Sequence, residues 1–296
     1  GVRGFGQLDI GSSFALAGSF AYQDAREGRS EIGGNVDAAE RIAFEKTGAE
    51  VNGAYEFNRI RLRVRGSTTS YDYQDLELNS GTTVNLDGRD FDETRLAASA
   101  EYAVGRDWAV LGEIEQVNRE FDIIPIGGIN RDIDGIVYRV GTNFELQNNL
   151  RGEITAGYLE FEPDDPAQPT QDGLALNANV QWFPTELTTL SARAGRDVAD
   201  AGGVNASSVL VTQYGLGISH ELMRNIVLFG DVAFEQREFD AIGLSREDDQ
   251  TDLNAGATWK VNRNIHVVGG LGFTTRDSDF EPFDETRATV TLRLFP

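Results

Sequence analysis

Cysteine is absent from this chain of 296 residues, which removes both a disulfide framework and any thiolate metal site. Lysine is almost absent: Lys46 and Lys260 stand alone among 26 basic residues, against 48 acidic ones. The net charge of −22 leaves no basic stripe to neutralise phosphates, so the composition argues against a nucleic-acid partner. Proline is scarce, and no apolar run approaches the roughly 18 residues of a membrane-spanning helix. No basic, apolar, then small-residue leader opens the chain, so it reads as either a mature or a soluble protein. With 40% hydrophobic residues it would pass for water-soluble on a hydropathy plot. That inference is unsafe, because membrane barrels give a weak signal per segment.

Glycine, at 33 residues, is plentiful, and it punctuates strands and turns better than helices. One phrase keeps returning: AYEFNRIRLRVRG (54–66), NFELQNNLRGEITAGY (143–158), SHELMRNIVLFGDV (219–232) and TWKVNRNIHVVGGLG (258–272). In each, apolar or aromatic residues lead into a polar pair and an alternating stretch leads out. Turns placed at Gly11, Asn58, Gly105, Asn148, Pro184, Asn225 and Asn262 are 36 to 47 residues apart. A drifting period excludes a solenoid and fits hairpins with variable long connections.

Strand side chains alternate between faces, so each arm can be read every second residue. After Asn58, Ile60, Leu62 and Val64 oppose Arg59, Arg61, Arg63 and Arg65. After Asn148, Leu150, Ile154, Ala156 and Tyr158 oppose Arg151, Glu153 and Thr155. Arms of about 9–14 residues exceed the usual soluble strand and match those that cross a bilayer at a tilt. Just before the turns, on the apolar face, stand Tyr55, Tyr102, Phe144, Trp182 and Trp259, with His220 in the equivalent place on one strand. Aromatics at one level make a membrane-interface girdle; Tyr22, Phe121, Tyr158 and Phe234 suggest a second at the far ends. The bland alternative is an aromatic β-sandwich core. Tight turns at one end and long acidic connections at the other (71–93, 160–173, 237–252) predict an antiparallel up-and-down transmembrane β-barrel with periplasmic turns and extracellular loops. The whole of 1–296 reads as one barrel domain.

The phrases NLRGEITAGYLEFE (149–162), VQWFPTELTTLSARAGRDV (180–198), SHELMRNIVLFGDV (219–232) and WKVNRNIHVVGGLGFTTRDSD (259–279) resemble the bacterial outer-membrane β-barrel porin family often found beside exopolysaccharide synthesis and export systems. The resemblance covers residues from about 134 to 296, more loosely the half before, and implies fold and outer-membrane location. Seven turns give fourteen arms, and ETRATVTLRLF (285–295) makes a fifteenth. Bacterial barrels close with an even number, so about sixteen strands (fourteen to eighteen) are expected, with one or more preceding residue 1. The last strand resembles a barrel assembly signal but ends in Pro296.

The inward face is the place to look for function. Arg59, Arg61, Arg63, Arg65, Arg95, Arg139, Arg151 and Arg193 are predicted to line a pore, with Glu113, Glu145, Glu153 and Asp231 as counter-charges. Alternatively these charges pair and merely stabilise the wall. The acidic groups Asp164 and Asp165, Glu247 to Asp249, and Asp277 with Asp279 could bind calcium or magnesium and bridge to lipopolysaccharide, or could be solvated loops. No EF-hand or zinc spacing appears, and no cofactor is expected. An enzyme is not expected either: adjacent Ser219 and His220 face opposite ways on a strand, and His266 has no evident nucleophile. Two readings follow: a porin-like channel or polysaccharide exit working with export components, or a plugged structural barrel whose outer loops bind partners or surface polymer.

Overall fold

The structure, a computed structural model, describes residues 1–11, 13–27, 38–124, 128–147, 149–202, 206–241, 244–278 and 282–295. Asn148, Asp279 and Pro296 therefore lie outside the described residues. The chain is built from β1 (Val2–Ile10), β2 (Phe14–Arg26), β3 (Ala43–Phe57), β4 (Ile60–Tyr73), β5 (Leu76–Glu77), β6 (Thr83–Val84), β7 (Phe91–Ala103), β8 (Trp108–Phe121) and β9 (Ile133–Leu146). It continues with β10 (Leu150–Pro163), β11 (Gln171–Thr185), β12 (Thr188–Ala199), β13 (Val209–Met223), β14 (Ile226–Ala241), β15 (Leu244–Lys260), β16 (Ile265–Ser278) and β17 (Phe283–Leu294). Fifteen strands form one antiparallel sheet in sequence order, and β5 and β6 make a small separate hairpin.

The fifteen arms counted in the sequence match the fifteen strands of that sheet. Among the described residues β1 pairs only with β2 and β17 only with β16, so the ladder is not closed within this chain. Asn58 takes φ +56° and Gly11 φ +65°, left-handed conformations that asparagine and glycine tolerate. The turn expected at Pro184 falls instead at Glu186–Leu187, where Thr185 pairs with Thr188. Pro184 has no N–H to donate, and it sits where the β11–β12 register shifts, which costs the ladder nothing. The stretch 237–252 is no loop either: β14 and β15 remain paired from Ile226↔Trp259 to Ala241↔Leu244.

The alternating faces are segregated. Ile60, Leu62 and Val64 are exposed on the outer face of β4, and Leu96, Tyr102, Val110, Ile114, Val140, Leu216 and Leu271 continue that face around the sheet. So many exposed large apolar side chains on one face need lipid, not water. Tyr55, Tyr102, Phe144, Trp182 and Trp259 all lie on this face near the short turns, joined by Phe14 and Trp108, whose indole N–H donates to Thr142 Oγ1. Toward the long connections Tyr22, Tyr138, Tyr158, Tyr214, Phe234 and Phe273 form the second band. Phe121 does not belong to it: it is buried on the inner face against Phe91, with ring centroids 5.2 Å apart. The two bands are six to eight residues apart along a strand, roughly 20–26 Å, and so mark out an apolar belt between them. Val64→Arg, which puts charge near the middle of this band, is expected to destabilise the barrel by about 2–4 kcal/mol in a urea unfolding titration. An unchanged midpoint would show that Val64 does not face lipid.

Beyond the second band the two faces exchange character. The outer face turns charged, with Asp72, Asp92, Glu120, Asp134, Glu160 and Asp172, while the inner face carries buried Phe91, Val117, Phe121, Val137, Leu159 and Phe161. Outside the membrane the solvent lies on the other side, so the strands bury their inner face as soluble β-structure does.

Candidate functional site

The inner face of β4 carries the arginine row at alternate positions, with Arg59 just before it in the Asn58–Arg59 turn. Arg61 pairs with Glu56 at 2.5 Å and approaches Glu101 at 3.9 Å; Arg63 reaches Glu101 at 3.4 Å. Arg65 is exposed on the same face. Arg139 on β9 holds Glu113 at 3.0 Å and Glu115 at 2.7 Å. Arg151 and Glu145 are register partners across β9 and β10, and Arg151 donates to Gln181 while covering the Phe183 ring at 5.1 Å. Glu153 lines a cavity of about 220 Å³ with Arg63, Arg65, Glu101 and Glu113. Arg193 opens onto another, of about 410 Å³, beside Asn177, Asn179, Gln213 and Asp252. Asp231 accepts a hydrogen bond from Asn254 Nδ2 at 3.0 Å. All twelve of the sequence-selected charged residues thus lie on the inner face or at its lower rim, but only the row from β4 to β10 is tied together by ion pairs and register.

A feature of the chain trace crosses the outer end of the inner face. β11 and β12 pair from Thr185↔Thr188 only as far as Leu176↔Arg196. Above that level β11 stays with β10, up to Phe161↔Gln171, whereas β12 stays with β13, up to Ala199↔Val209. The β12–β13 hairpin therefore parts from β11. Val198 and Leu210, which share the parity of lipid-facing Tyr214 and Leu216, are buried in one cluster with Val117, Ile133, Val137, Leu159, Phe161 and Ala175 of the inner wall. Side chains of lipid-facing parity can reach that wall only if the outer ends of β12 and β13 lean into the lumen. Their other face packs Ala201, Ala206, Val209 and Val211 with Phe239 of β14. Burial of these side chains holds the outer ends of β12 and β13; Phe161 fits there because its ring lies over Gly135, where a Cβ would strike it.

Charge spans the space that the hairpin crosses. Arg95 on β7 holds Glu93 at 2.7 Å and Glu115 at 3.4 Å and reaches Asp197 of β12 at 3.6 Å. Arg119 pairs with Glu93 at 2.6 Å, and Arg131, before β9, approaches Asp200 at 3.9 Å. Burial pushes the Arg131 guanidinium down from its usual value, with Asp200 opposing that shift; a guanidinium stays charged regardless. On the neighbouring wall Arg89 makes a two-point contact with Glu27, at 2.9 and 3.0 Å, and lies over Tyr73. Together these groups surround a cavity of about 640 Å³, lined by Arg89, Arg95, Arg119, Arg139, Arg196 and Arg237 and by Glu27, Glu93, Asp197, Asp200 and Glu235.

Sequence reading found Arg95 and Arg139 but not Arg119 or Asp197. Continuing the alternation past Glu115 on β8 and past Arg193 on β12 would have reached both. Arg89, Arg131 and Asp200 lie outside the long strands, where alternation carries no information. The acidic groups of β15 are structural in part: Asp248 is buried and held by Arg246 at 2.6 Å. Among the described residues no three carboxylate or imidazole groups converge as a metal site.

Known structures share this architecture. FpvA of P. aeruginosa, solved with heterologous pyoverdines, matches with a TM-score of 0.56 at 10% identity over 97% of this chain and 51% of its own. The FrpB iron transporter from Neisseria meningitidis matches with a TM-score of 0.57 at 10% identity over 92% of this chain and 52% of its own. The chain thus spans about half the length of these proteins, and at such identity the likeness concerns the fold. No curated protein matches it. Residues 1–295 match the family described as "Putative beta-barrel porin 2", and the chain belongs to that family, with the β-barrel architecture and Gram-negative outer-membrane location that go with it.

Proposed function

We propose that this outer-membrane barrel is a channel for small hydrophilic solutes, with a polar vestibule on the short-turn side and a narrow charged throat beneath the long connections. The carrying observation is the contrast along the inner face. Through the membrane span it presents water-accessible Arg65, Arg151, Arg193 and Asn179, and the β12–β13 hairpin packs across it only above the level of Arg196. Passive passage suits this throat better than exit of a polymer, because the Arg95–Asp197 pair bridges it. A polysaccharide exit working with export components is the other transport reading. Lipid and lipopolysaccharide are the natural surroundings, and the acidic outer strand ends offer oxygen ligands for bridging divalent cations. The reading includes no catalytic step: Ser219 faces inward, while His220 Nδ1 meets Thr188 Oγ1 at 2.9 Å on the lipid side.

One observation favours a second reading, a closed anchoring barrel: the outer end holds three buried apolar clusters. Planar-bilayer recording separates the two. Stable single-channel steps are expected, with a reversal potential in a salt gradient that moves toward cation preference when Arg61, Arg63 and Arg65 are changed to Gln. Silence from protein proven folded by its heat-dependent gel migration would favour the anchor.

A further inference from the structure

The large cavity between the hairpin and the β7–β9 wall has an unusual charge balance. Six guanidiniums face it against five carboxylates, in a chain whose net charge is −22. Moreover each carboxylate has a cationic neighbour: Glu27 has Arg89, Glu93 has Arg95 and Arg119, Asp197 has Arg95, Glu235 has Arg237, and Asp200 has Arg131 at 3.9 Å, a charge contact without a hydrogen bond. Arg119, Arg139 and Arg196 each have a donor to spare. Arg119 is only 2% exposed, and its Nε and Nη2 are used on Glu93, yet its Nη1 is buried with no hydrogen-bond partner. Arg139 Nε and Arg196 Nε are in the same condition. A buried N–H of a fixed cation attracts an acceptor, and the strongest acceptor for a planar guanidinium is an oxyanion.

We propose that this cavity is a binding subsite for a small oxyanion, a carboxylate or phosphate group carried by the permeating solute, with Arg119 as its principal contact and Arg139 and Arg196 beside it. The solute class of the channel would then be anionic metabolites, and this assignment rests on the channel reading above. The site is prebuilt in that carboxylates hold the arginines in place, while three of the residues lining the cavity, Arg119, Arg139 and Arg196, each keep one buried N–H without an acceptor. About 640 Å³ accommodates a molecule of several carbons with its water, well beyond a chloride ion. Position matters as well: a subsite in the throat concentrates an anion at the narrowest point, in a protein whose overall charge repels it.

The test is calorimetric titration of citrate, and separately of inorganic phosphate, into the detergent-folded protein at low salt. Saturable binding of at least one is expected, weakened about tenfold or more by Arg119→Gln, which leaves Glu93 its Arg95 partner, and unchanged by Arg224→Gln in a short turn. Absence of binding by the unaltered protein up to about 10 mM of either anion would overturn the assignment without any variant. So would equal affinity in folded Arg119→Gln protein. Bilayer recording run in parallel keeps the two claims apart: conductance without anion binding sinks the subsite alone, whereas binding without conductance sinks the channel and leaves an anion receptor.

Discussion

Replacing residues 196–212 by a two-residue Asn-Gly turn should raise single-channel conductance about threefold or more, because that segment is what narrows the lumen. The splice is conservative in backbone terms: Gly195 and Gln213 are already register partners, so Asn-Gly closes them as an ordinary hairpin. It removes Val198 and Leu210 from the inner-wall cluster and Asp197 and Asp200 from the charges that cross the throat. Below Gly195 the strands keep their lipid-facing Tyr214, Leu216 and Ile218, so insertion should survive. Planar-bilayer conductance is the measurement. A value unchanged from the full chain would place the narrowest point elsewhere and remove the hairpin's assigned role.

The second large effect is energetic. Phe161→Ala is expected to cost about 3–5 kcal/mol, read as a lower urea midpoint of the folded barrel. Phe161 has no exposed surface, joins the cluster that receives Val198 and Leu210, and lies over Gly135 with no room for the wall to close in. Phe234 is the internal comparison, since its ring is half exposed toward lipid, and its truncation should cost far less because no sealed cavity opens. Equal costs at the two positions would mean that the outer end of the lumen is not packed. A further readout links stability to function: loss of the Phe161 ring loosens the seat of the hairpin, so the variant's open-channel current should be noisier.

The strand faces were legible because the bilayer imposes one rule through its whole thickness. Ile60, Leu62 and Val64 must meet lipid, so Arg61, Arg63 and Arg65 must turn inward, and a period of two exposes both at once. Tyr55, Tyr102, Phe144, Trp182 and Trp259 were readable for the same reason, as were the tight turns around Asn58 and Asn225. Phe121 was assigned to the wrong side because the rule changes sign above the membrane. There Asp92, Asp134 and Glu160 face water outside, and the aromatics go in. Reading 237–252 as a loop had a related cause: acidic residues suggested a connection, yet a two-stranded ribbon in water tolerates charge on its exposed face.

Composition and alternation by themselves determined that this chain is a transmembrane sheet, which side chains meet lipid, and which arginines turn to the interior. Those properties follow from each residue's own position along a strand, and the solvent on either side enforces them. Only the tertiary structure decided that β12 leaves β11 at Arg196, that Val198 and Leu210 rest on the inner wall of β8 to β11, and that Arg119 shares a cavity with Arg139 and Arg196. These depend on which strands, far apart in the chain, come to face one another when the sheet curls. Burial of a few apolar side chains settles that, and no local period encodes it.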